Sequence, residues 1–165
     1  AHHLFSMPYD QIDVLVHPQS IVHSIVEYVD GSQLAQLSKP DMRIPIQVAL
    51  AYPERWEAEY TDNDYDGMQW SFFKPDLATF PSLRLAIQAG KLAGAYPAIL
   101  NAANEVAVAA FLEGQLPFLA ISEVVEDALC SQYVGPFRVL GDVFVADDWA
   151  RAKALTSLKQ RRCKY

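Results

Sequence analysis

A chain of 165 residues with 52% hydrophobic content is long enough for one compact domain or two small ones built on a real core. Its formal charge of −7 disfavours phosphate backbones and anionic membrane surfaces as partners, so neither nucleic acid nor membrane is expected. No apolar run approaches the roughly 20 residues of a membrane span, and two cysteines, Cys130 and Cys163, make neither a disulfide scaffold nor a zinc knuckle.

The opening AHHLFSMPYD lacks both an initiating Met and the apolar stretch of a signal peptide, and it reads as the interior of a longer protein. Residues 12–16 (IDVLV) are mostly apolar and are expected to form a short, well-buried strand. His17-Pro18-Gln19-Ser20 interrupts it, because proline removes a donor and restricts the residue before it. Residues 21–29 (IVHSIVEYV) and 33–37 (QLAQL) flank Asp30-Gly31-Ser32, a hairpin pattern whose two central positions favour positive φ. Alternation then sets Ile21, His23, Ile25, Glu27 and Val29 on one face, with His23 half-buried between isoleucines. Asp41 is the expected N-cap of a helix reaching about Tyr52, with Pro45 in its early turns and Pro53 as its stop. Residues 54–67 are polar, acidic and aperiodic, and read as a linker in which residues 68–73 (MQWSFF) add a short strand.

From Pro81 the pattern becomes helical. Residues 81–93, 97–113, 119–130 and 147–162 are four predicted helices. Leu83, Ala86, Ile87 and Leu92 mark the first apolar face, and Gly94 and Gly114 the first two stops. The fold class is therefore α+β: a hairpin and strand segment, a linker, then a small four-helix bundle. The boundaries fall at 1–53, 54–77 and 78–165. The basic run Lys159, Arg161, Arg162 and Lys164 suits the last turn of a helix better than a tail for an acidic partner.

No dinucleotide-binding glycine motif, phosphate-binding loop, zinc-protease motif or nucleophile elbow is present. All four histidines, His2, His3, His17 and His23, precede residue 24, but without the spacing of a metal site. His2 and His3 read as surface residues, and a strand histidine satisfied by one hydrogen bond is the ordinary reading of His23. Asp62, Asp64 and Asp66 imitate the start of a calcium loop, yet no glutamate follows at the required spacing. Asn101, Asn104 and Glu105 form a polar stripe in which buried asparagines would tie neighbouring elements together.

Two longer stretches say more than spacing does. Residues 16–56, VHPQSIVHSIVEYVDGSQLAQLSKPDMRIPIQVALAYPERW, and residues 100–114, LNAANEVAVAAFLEG, resemble the 1-deoxy-D-xylulose 5-phosphate reductoisomerase family in order and spacing. The first is similar to the segment that closes the family's catalytic domain, the second to its C-terminal helical domain. The resemblance implies an enzyme that converts 1-deoxy-D-xylulose 5-phosphate to 2-C-methyl-D-erythritol 4-phosphate in isoprenoid biosynthesis. NADPH supplies the hydride, and a divalent metal, Mg²⁺ or Mn²⁺, polarises the substrate oxygens.

Carried over by position, the resemblance makes His23 a catalytic and substrate-pocket residue, Ser20 and Pro40 further substrate contacts, and Met42 a wall beside the nicotinamide. No metal ligand falls in this chain: the nucleotide-binding domain, metal carboxylates and most phosphate contacts precede residue 1 in the family. The resemblance further implies a homodimer, located in the bacterial cytoplasm or in a plant plastid, and a chain that is inactive by itself. Two other readings compete with it. One is a non-catalytic oligomerisation module, which would tolerate loss of His23 and Met42; the other is a related oxidoreductase acting on a different substrate.

Overall fold

The computed structural model describes residues 1–58, 64–133 and 135–162, the last without its side chain. Its contacts form two compact units, Val14–Pro75 and Ala1–Asp13 with Asp76–Tyr165. The fold is α+β.

The first unit is built on one antiparallel hairpin, β1 (Val22–Glu27) with β2 (Gln33–Leu37). At its turn, Gly31 N–H donates to Tyr28 O at 2.9 Å and Tyr28 N–H to Ser32 O at 2.9 Å. Of the two central residues only Gly31 takes positive φ (81°). Asp30 stays outside the left-handed region, its Oδ1 accepting from Ser32 N–H at 2.9 Å and Ser32 Oγ at 2.6 Å. A carboxylate that captures the next turn donor makes a type I turn closed by glycine, so one left-handed residue suffices.

Residues 12–16 depart from the expected buried strand. Val14, Leu15 and Val16 are 42%, 51% and 47% exposed, and the segment makes one antiparallel bridge, Val16 to Phe73. Apolar composition favours a strand only where neighbours pair with it, and among the described residues Phe73 alone does so. The same bridge is all that forms of the strand expected at 68–73. Helix α2 (Arg43–Ala51) begins two residues after Asp41, whose Oδ1 accepts the Arg43 N–H at 2.9 Å. From α2, Gln47 donates to Trp56 O and Glu57 O at 3.0 and 3.2 Å, tying the following polar segment to the helix.

The second unit starts with a short helix, α1 (His2–Phe5), and a 3₁₀ turn, Tyr9–Gln11. The Tyr9 ring occupies the place of a side chain at Gly90, its Cζ lying 2.6 Å from where a β-carbon would stand. Four helices follow: α3 (Ser82–Leu92), α4 (Tyr96–Leu112), α5 (Ala120–Cys130) and α6 (Leu140–Arg162). Helix α4 packs on the other three. Its C-terminal end uses Gly114 at φ 71°, with Gly114 N–H bonded to Phe111 O at 2.9 Å and Gln115 N–H to Ala110 O at 2.8 Å. This paired closure satisfies carbonyls a helix otherwise leaves bare.

Leu85, Ile99 and Val124 are the largest fully buried side chains, set among alanines of α4 and α6. Two expectations shift here. The buried face of α3 is Leu85 and Ala89, with Ala86 and Leu92 exposed; leucines at 83 and 85 and isoleucine at 87 also alternate in twos, which blurs the helical stripe. Helix α6 starts at Leu140 instead of Asp147, because Asp142 Oδ2 accepts the N–H groups of Arg138 and Val139 at 2.7 and 3.1 Å. Asp147 then serves mid-helix, paired four residues on with Arg151 at 2.6 Å.

Candidate functional site

Antiparallel pairing decides where the four candidate residues fall along the hairpin. Val22 faces Leu37, and Ser38 N–H donates to Ile21 O at 3.0 Å. The start of β1 therefore lies beside the end of β2, opposite the turn. Ser20 immediately precedes this open end, His23 is on it, and Pro40 and Met42 leave it towards α2. Sequence neighbours 20 residues apart are thus gathered within one unit.

The backbone is unusual at both His23 and Ser20. Val22 pairs with Leu37 and Ser24 with Gln36, so His23 is the extra residue of a β-bulge. A bulge breaks alternation and re-aims the side chain; His23 is exposed, not half-buried as expected, because every residue of β1 after Val22 is exposed on both faces of the hairpin. Its Nδ1 lies 3.5 Å from Ser38 Oγ, at the outer limit of a hydrogen bond. Ser20 has φ 51°, a left-handed conformation that costs a non-glycine residue about 1 kcal/mol. Its N–H donates to His17 O at 3.0 Å.

Met42 is 71% exposed between Pro40-Asp41 and α2. Beside it Arg43 clasps Asp41, Nε donating to Oδ1 and Oδ2 at 3.0 and 2.9 Å and Nη2 to Oδ2 at 2.5 Å. The guanidinium, with the Arg43 backbone N–H, pulls the Asp41 carboxyl from 3.8 to about 2. A carboxyl whose folded-state pKa is depressed adds stability above its unfolded pKa, and that contribution fades as pH falls through the folded value. The window for Asp41 is therefore between about pH 4 and pH 2. A carboxyl NMR titration should place Asp41 near 2 and return it towards 3.8 in Arg43→Met; an ordinary wild-type value would contradict the clasp.

Other polar candidates are accounted for elsewhere. Asn101 and Asn104 are exposed, not buried. Asn101 donates to Glu105 at 2.9 Å, and Arg151 of α6 bridges Glu105 and Asp147, each at 2.6 Å, locking α4 to α6. Arg161 reaches Glu123 and Asp127 of α5, the latter at 2.8 Å, so this part of the basic run binds the bundle itself. Lys164 and Cys163 lie outside the described residues, as does Asp62. Asp64 accepts the Asp66 N–H at 3.0 Å in a local turn. His2 stacks on Tyr9 at 4.3 Å and its Nδ1 contacts Met7 O at 2.7 Å. Among the described residues no group of three His, Cys, Asp or Glu side chains could hold a metal ion, and no helix is long and apolar enough to cross a membrane.

The family model of the DXP reductoisomerase C-terminal domain matches residues 37–153. The chain belongs to the 1-deoxy-D-xylulose 5-phosphate reductoisomerase family. The reductoisomerase of Desulfitobacterium hafniense is 52% identical over 154 residues, covering 93% of this chain and 40% of its own. That of Acidithiobacillus ferrooxidans is 54% identical over 159 residues, 96% and 41% of the two chains. Among solved structures, the reductoisomerase from Zymomonas mobilis in complex with NADPH superposes with a TM-score of 0.89 at 46% identity, covering 96% of this chain and 42% of that one. A reductoisomerase in complex with NADPH, fosmidomycin and magnesium gives 0.87 at 40% identity, covering 96% and 41%. The chain thus spans about 40% of the length of the curated reductoisomerases it matches.

Proposed function

We propose that this chain is the C-terminal part of an enzyme converting 1-deoxy-D-xylulose 5-phosphate to 2-C-methyl-D-erythritol 4-phosphate with NADPH and a divalent cation, Mg²⁺ or Mn²⁺. The observation that carries the reading is the family match over residues 37–153, and it is supported by the positions of Ser20, His23, Pro40 and Met42 at or beside the open end of the hairpin. Residues 1–53 are assigned to the close of the catalytic domain, 54–77 to the crossing and 78–165 to the C-terminal helical domain; the contact units differ from this in that Ala1–Asp13 pack with the helices and the first unit runs to Pro75. The whole enzyme is a homodimer, cytoplasmic in a bacterium or plastid-borne in a plant.

His23 is suited to its role by its looseness: its ring is exposed and, among the described residues, held by a 3.5 Å contact to Ser38. An imidazole in that setting can bond a substrate oxygen and pass a proton. We assign the Ser20 hydroxyl and the Pro40 ring to the same substrate-facing end of the hairpin. Met42 offers a polarisable apolar wall to a flat ring, which fits a nicotinamide, and NADPH when bound supplies the hydride. The described residues do not fit the cation, since no ligand set exists among them.

On this reading the chain contributes a pocket wall, and the grip on cofactor, metal and phosphate is assigned to the rest of the enzyme. Titrated with NADPH, the isolated chain should show no saturable binding and no turnover of 1-deoxy-D-xylulose 5-phosphate, whereas the full-length protein should show both. Saturable NADPH binding by the isolated chain would overturn this division of labour, and an inactive full-length protein would overturn the activity itself.

A further inference from the structure

The turn that carries Ser20 is fastened to a segment more than fifty residues away in sequence. The His17 imidazole stacks on Phe72 with centroids 4.5 Å apart and planes inclined by 12°. Its Nδ1 lies 2.9 Å from Ser71 O. A carbonyl oxygen only accepts, so Nδ1 carries the proton in this contact, while Nε2 is buried with no partner among the described residues. Gln19 grips the same serine twice, Oε1 accepting the Ser71 N–H at 3.3 Å and Nε2 reaching Ser71 Oγ at 3.5 Å. One step earlier, Val16 and Phe73 exchange both backbone bonds, at 2.8 and 3.0 Å.

We propose that His17 and Gln19 are positioning residues which, by latching their turn onto residues 71–73, preset Ser20 and the start of β1 for the sugar phosphate. The inference rests on the function proposed above. A left-handed serine persists only where its surroundings over-determine it, and the single bond from Ser20 N–H to His17 O has alternatives in water. The side-chain contacts of His17 and Gln19 supply the missing constraint on either side of Pro18. Neither residue needs to touch substrate. They act through Ser20, and through His23 three residues further on, at the point where the bulge sets the imidazole's direction.

This differs from plain packing in what it does to kinetics. An unfolded fraction lowers kcat and leaves KM unchanged, whereas a displaced binding group changes KM. Small displacements suffice, since a misplacement of about 1 Å can cost on the order of 10²-fold in rate. The test uses the full-length protein, and wild-type turnover is measured first; its absence would remove the proposed function, a separate failure from that of the latch.

With an active wild type, Gln19→Leu and His17→Leu should each raise KM for 1-deoxy-D-xylulose 5-phosphate about tenfold, with KM for NADPH within twofold. His17→Asn, whose amide N–H can replace the Nδ1 donor, should recover most of the loss. Sugar-phosphate KM values within twofold of wild type in both leucine variants would overturn the inference. So would a parallel rise in both KM values, which would mark general loosening. Should His17→Leu fail to fold, Gln19→Leu and His17→Asn decide the matter by the same criterion.

Discussion

In the full-length enzyme, His23→Ala should lower kcat/KM by about 10²-fold or more, the range expected when a positioned acid–base group is lost. The thermal midpoint should hardly move. The separation of these two effects follows from the bulge. His23 is the residue of β1 without a cross-strand partner, its ring is exposed, and its contact with Ser38 is long. Truncating an exposed side chain away from the core typically changes stability by less than about 0.5 kcal/mol, so lost activity cannot be blamed on lost fold. Steady-state kinetics on purified variants would decide it, and kcat/KM within twofold of wild type would make His23 an ordinary surface residue.

The second large effect lies in the helical unit. Ile99 is 1% exposed near the start of α4 and belongs to the continuous core shared by all four bundle helices. Ile99→Ala should cost about 3 kcal/mol, combining the lost burial of the removed carbons with the void they leave. Leu112, at the end of the same helix but 77% exposed, provides the control; Leu112→Ala should stay within about 0.5 kcal/mol. Urea unfolding followed by helical circular dichroism measures both. Equal effects at the two positions would mean that α4 is not buried on this side.

How much of this was readable in advance differed by element. Helices α3 and α4 were legible because proline and glycine punctuate them: Pro81, Pro97, Gly94 and Gly114 fall at or beside their observed ends. The start of α6 was hidden because its cap, Asp142, works from inside the first turn on two residues before it. The hairpin was legible from its turn, but the bulge was not, since it is a property of two strands in register and appears in neither alone. Residues 12–16 misled for a related reason: their apolar pattern describes the company a strand keeps, and only Phe73 supplies it here. The His17–Phe72 stack joins positions 55 apart along the chain, beyond any local pattern. The candidate residues rest on family resemblance; what the hairpin register adds is their position at or beside its open end.

The seam between α4 and α6 is lined by fully buried alanines, Ala102, Ala103 and Ala107 on one helix and Ala146, Ala150 and Ala154 on the other. Methyl groups let two backbones come close, and they leave little to delete. Such a seam is lopsided in what it can absorb. Shortening to glycine removes a single carbon plus some helix propensity, about 1 kcal/mol, whereas a branched or aromatic newcomer must push two rigid rods apart. Variation along this line can proceed only by matched exchange, one side growing as the other shrinks.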